Sequence, residues 1–105
     1  MQKSLQQLAM RMEELDRSLM DPSVSSDGKK LREITKERAT LEPIVQLWTQ
    51  LEESKEELEE AKELALDREM AEMAQEEIQR LNAEIPALEQ ELRLSLIPPD
   101  PFEGA

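Results

Sequence analysis

With 25 acids against 13 bases, the 105-residue chain carries a net charge of −12 and is one domain by length. Charged residues make up 36% and aromatics only 2%, the composition of long helices and coiled coils rather than of a thick globular core. This balance argues against nucleic acid as a direct, dominant partner, since phosphate contacts need clustered Lys and Arg, and against an anionic membrane surface; its natural complement is a basic protein.

Cysteine and histidine are both absent, which leaves no disulfide framework and suits a reducing compartment. The start "MQKSLQQLAM" lacks the apolar centre of a signal peptide, and no apolar run approaches the ~20 residues of a membrane span. A soluble cytoplasmic protein is the expectation.

Leu5, Leu8, Met12, Leu15 and Leu19 recur at steps of three and four, which predicts an amphipathic helix over about 2–20. "DPSVSSDG" at 21–28 stops it: Pro22 disfavours helix at Asp21, and the Ser/Asp/Gly cluster reads as a turn that caps the next element. A second helix is predicted over 29–66 through Leu31, Ile34, Leu41, Ile44, Trp48, Leu51, Leu58 and Ala65, flanked by Val45 and Ala61, with a kink or brief break at Pro43. "LDRE" at 66–69 reads as a tight corner capped by Asp67, with Glu69 in the first turn of the next helix. That third helix, 68–96, carries Met70, Ala74, Ile78, Leu81, Ile85, Leu88, Leu92 and Leu96 in a near-heptad seam and should bend at Pro86.

The three helices would be about 27, 57 and 42 Å long, with short connections that make neighbours antiparallel. The expected fold is therefore all-α: an elongated antiparallel three-helix bundle or helical hairpin with coiled-coil character, kinked near Pro43 and Pro86. Residues 1–96 form its helical domain. Pro98, Pro99 and Pro101 cannot continue a helix, so 97–105 reads as the start of a Pro-rich interdomain linker. A second copy could bury the uncovered seam, giving a homodimer of the isolated domain.

Catalytic chemistry finds no support. Acid pairs such as Glu13–Glu14, Glu52–Glu53, Glu56–Glu57 and Glu76–Glu77 could bind metal or move protons, but adjacent helical residues point apart and thin helices offer no desolvating pocket. They read as solvated faces. Asp27-Gly28 matches positions five and six of a calcium loop, yet position one would be Ser23 and position twelve Ile34, where a carboxylate is required. Ser4, Ser18, Ser54 and Ser95 have no base nearby, and Gly28 and Gly104 are too far apart for a phosphate loop. No cofactor or metal is implied, and the chain as given is not an enzyme. Trp48 reads as core filling where three helices meet, with an exposed partner contact as the sharper alternative. Met10, Met12, Met70 and Met73 read as gap-fillers, or else as an adaptable groove.

Four pieces in register carry a family resemblance: "RMEELDRSLMDPSVSSDGKKLREITKERATLEPIVQLW", "EEAKEL", "DREMAEMAQEEI" and "LIPPDP". Together they resemble the amino-terminal domain of bacterial class I peptide chain release factors, nearest the type that reads UAA and UAG. One departure is "PPDPFEGA", where family members more often carry a Lys between the prolines. The resemblance implies downstream domains of the same chain, one reading the stop codon through a Pro-x-Thr-type tripeptide and one carrying Gly-Gly-Gln. Neither motif occurs in these residues, so no codon-reading or catalytic position carries over. It also implies that this domain docks against ribosomal proteins near the stalk base and communicates with the recycling GTPase release factor.

The net charge suggests how such docking would work, with acidic helix faces meeting a basic ribosomal protein. Glu52, Glu56 and Glu59 are the candidate partner-binding residues. The alternative function is a free-standing coiled-coil adaptor or oligomerisation module, which the same stripes would serve.

Overall fold

The computed structural model describes residues 2–96, all helical apart from short connections. Four helices follow in order: α1 (Gln2–Leu19), α2 (Pro22–Ser25), α3 (Gly28–Leu64) and α4 (Ala71–Leu96). No strand occurs among the described residues, so the all-α expectation holds. Pro98, Pro99 and Pro101 of the expected linker lie outside the described residues.

The stretch read as a turn contains α2. Asp21 sits in extended conformation (φ −82°, ψ 121°) and its side chain accepts from the Ser23 N–H at 2.9 Å, with Pro22 in the first turn. A short polar acceptor followed by proline is a helix start. The turn reading missed it because the following Ser/Asp/Gly run ends the helix after one turn. Asp27 then caps α3, its Oδ1 accepting from the Lys29 and Lys30 N–H groups at 3.1 and 3.3 Å.

The brief break, one of the two alternatives expected at Pro43, is absent. Helix α3 is continuous through Pro43, and α4 through Pro86. Both prolines are exposed, as are Ala39 and Asn82, the residues four positions back whose carbonyls lose a partner. On a wetted face those carbonyls can turn to water, so the helix survives.

The chain forms two compact units, one up to Gln46 and one from Leu47. In the first, α1 doubles back on the early part of α3 through α2. Leu5, Leu15 and Leu41 are buried there, and the two helices are joined by Arg11–Glu37 and Asp16–Arg38, each closing at 2.5 Å. In the second, the late part of α3 pairs with α4 over a fuller core of Leu51, Ala61, Ala74, Leu81, Ile85, Leu88 and Leu92. Ser54 joins that core at 5% exposure. Leu51, Ser54, Leu58, Ala61 and Ala65 continue one another at heptad spacing, and the small members let backbones approach closely. At ~1.5–3 kcal/mol for each fully buried leucine, the second unit carries most of the hydrophobic stabilisation.

The corner between α3 and α4 is longer than the sequence suggests. Asp67 Oδ1 accepts from the Glu69 N–H at 3.0 Å, as an Asx cap should, but the Met70 N–H returns to the Asp67 carbonyl at 3.0 Å. The helix therefore begins at Ala71 rather than near 68. Met70 leaves the helical seam for the turn and is half-buried.

Candidate functional site

Between Glu52 and Glu63, α3 carries seven glutamates against Lys55 and Lys62. The spacing places Glu52, Glu56, Glu59 and Glu63 at steps of four, three and four, hence along one face. Lys55 lies 3.8 Å from Glu52 and Lys62 lies 3.4 Å from Glu59, both exposed pairs within the helix. Among the described residues, Glu53, Glu56, Glu60 and Glu63 carry no ion pair. The face presents a net negative field that its own lysines only partly cancel.

At its amino-terminal end the face becomes concave. Trp48, Glu52 and Glu56 form one i, i+4 row and Thr49 and Glu53 the adjacent one, and these five side chains line an open depression of about 320 Å³. Trp48 is half-buried, between the core-filling reading and the exposed-contact alternative. It lines the depression together with three carboxylate residues. Such a surface suits a guanidinium or ammonium group, by ion pairing and by attraction to the ring face.

The structure thus brings Glu52 and Glu56 together with Trp48, and sets Glu59 further along the helix, outside the depression. Sequence reading missed Thr49 and Glu53, although their i+4 spacing beside the Trp48 row was a usable signal.

The acids next to this face are engaged differently. Arg80 of α4 reaches Glu57 at 3.3 Å while also holding Glu77 at 2.8 Å and Glu84 at 2.6 Å. Hydrogen bonding from Arg80 pulls the Glu77 carboxyl below its usual range, and Glu77 in turn raises Arg80. This fork braces α4 against α3 and withdraws Glu57 from the free acidic surface.

Of the methionines read as gap-fillers, Met12 and Met70 are half-buried, but Met10 and Met73 are 62% and 53% exposed and fill no gap. No group of metal-ligating side chains converges among the described residues. Nor is any described helix long and apolar enough to cross a membrane.

The PCRF domain model matches residues 8–105. The chain belongs to the PCRF domain family. It is 43% identical over 100 residues to peptide chain release factor 1 of Oceanobacillus iheyensis, covering 92% of this chain and 28% of that protein. It is 43% identical over 95 residues to the protein of that name from an Exiguobacterium species, with 87% and 27% covered. The Bacillus licheniformis protein is 41% identical over 100 residues, with 92% and 28% covered. This PCRF domain therefore spans little more than a quarter of the length of these relatives. No solved structure matches it. The family suggested by the quoted segments is the family found.

Proposed function

We propose that this PCRF domain is the helical, non-catalytic part of a translation termination factor that directs stop-codon-dependent release of the nascent peptide on the ribosome. The observation that carries the reading is the family match across residues 8–105, with relatives named peptide chain release factor 1 at about 40% identity. The residue inventory agrees, since hydrolytic chemistry would have to come from elsewhere in such a factor.

The work left to this domain is docking. Its acidic α3 face, with Glu52, Glu56 and Glu59, meets a basic ribosomal protein near the stalk base and is repelled by rRNA phosphate. From that position it can communicate with the recycling GTPase. The Trp48 depression gives the face a point where one basic side chain can be held.

The test is made in a full release factor carrying this domain. Reversing Glu52, Glu56 and Glu59 to Lys is expected to slow association with ribosomes most strongly at low salt and to narrow the difference as salt rises. Association unchanged at every ionic strength removes the acidic face from the mechanism.

A further inference from the structure

The corner joining α3 to α4 collects apolar side chains that the fold leaves in water. Leu66 is 87% exposed, Met73 53% and Leu64 40%. Three of the six large hydrophobics exposed among the described residues therefore fall within ten residues of one another. Scattered exposed leucines need no explanation, but a concentration at one corner does. Turn chemistry does not ask for Leu at position 66, where a polar residue would serve better.

The corner is also fixed. Leu66 N–H donates to the Glu63 carbonyl at 3.1 Å, Asp67 N–H to the Leu64 carbonyl at 3.0 Å, and Asp67 Oδ1 accepts from Glu69 N–H at 3.0 Å. Backbone already ordered in this way loses little freedom when a partner binds.

Charge selects the partner. Glu63, Asp67, Glu69 and Glu72 are exposed around these side chains. The bases of the same stretch are Arg68 and Lys62, the latter 3.4 Å from Glu59. An acidic rim opposes a second copy of a chain of net charge −12, and opposes an anionic lipid surface equally. A basic partner gains where both of these lose.

We propose that the corner from Leu64 to Met73 is a docking surface for a basic amphipathic protein segment. Its apolar side covers Leu64, Leu66 and Met73, and its Lys or Arg side chains meet the surrounding carboxylates. The surface lies beyond Glu59 and meets the acidic α3 face at Glu63, and the inference goes beyond the ribosomal docking proposed above.

Three helical peptides test it: a leucine stripe flanked by lysines, the same stripe flanked by glutamates, and a lysine peptide without the stripe. Titrated into the isotope-labelled chain at physiological salt, the leucine/lysine peptide is expected to shift amides of residues 63–74 first. The double change Leu66→Ser, Met73→Ser should weaken it at least ~10-fold, while Leu66→Met retains binding. The glutamate-flanked peptide should not bind. Both serine sites are exposed, so helicity measured by circular dichroism should be unchanged. Three results would each overturn the proposal: affinity unaffected by the serine changes, equal affinity for the lysine peptide lacking the stripe, or sedimentation showing a dimer of the chain that buries this corner.

Discussion

Arg11 of α1 grips Glu37 of α3 with two parallel hydrogen bonds, Nε to Oε2 at 2.5 Å and Nη2 to Oε1 at 3.0 Å. The fork sits beside the Arg38–Asp16 bond, in the unit where, among the described residues, only Leu5, Leu15 and Leu41 are buried. With so little apolar surface to fix the register of α1 on α3, directional bonds take over that task. Being half-exposed, they contribute more to register than to stability.

The Glu37 carboxyl is held below its usual range, first by the hydrogen bond from Arg11. A carboxyl depressed on folding adds stability that is complete above its unfolded value and lost as pH falls through its folded value. Glu37→Gln should therefore lower the thermal midpoint modestly at pH 7, and the gap to the parent should close as pH falls below about 4.5, the ordinary value. A gap that persists unchanged at pH 2 would assign the effect to packing rather than to the ion pair.

Leu81 has no exposed surface and sits in the fuller core of the second unit. Leu81→Ala should cost ~2–4 kcal/mol, whereas Leu66→Ala at the exposed corner should stay within ~0.5 kcal/mol. Urea midpoints read both, provided the slope is unchanged. A Leu81→Ala cost below ~1 kcal/mol would mean that the helix pair collapses freely around the gap.

How far the sequence revealed this structure depends on the length of the signal. Leu51, Leu81, Leu88 and Leu92 repeat over many turns, and each is buried as its spacing predicts. A pattern that long leaves little room for another period. Where the signal is short, reading fails locally. Pro22–Ser25 is a single turn that composition cannot separate from a loop, and Met70 keeps heptad spacing although the chain leaves the helix there. Ser54 escaped notice as core because a hydroxyl gives no hydrophobic signal, yet its small size suits the seam. At the candidate site, net charge pointed to Glu52 and Glu56, which i+4 spacing puts on a shared face. The concavity beside Trp48 depends on side-chain packing that no spacing rule contains.

The unequal cores should appear in local stability. Amides of α4 between Ala74 and Leu92, backed by five buried apolar residues, should exchange with solvent more slowly than those of α1, which is backed by Leu5 and Leu15. Native-state hydrogen exchange measures this directly. Protection in α1 equal to that in α4 would show that both helices open only in global unfolding.

Pro43 gives the last prediction. Its ring crowds the preceding turn, and without an N–H it leaves the Ala39 carbonyl without its helical donor, although α3 continues on both sides. Alanine there would restore the hydrogen bond and remove the clash, against an interior penalty for proline of ~3 kcal/mol. Part of that gain is offset, because proline also stiffens the unfolded chain by ~0.4–1 kcal/mol. The exposed position imposes no packing demand of its own. Pro43→Ala should therefore raise stability by ~2–2.6 kcal/mol, seen as a higher urea midpoint at constant slope. A lower midpoint would mean that the proline sets a helix geometry on which burial of Leu41 depends, and Pro86→Ala in α4 would then be expected to lower the midpoint through Ile85 and Leu88 in the same way.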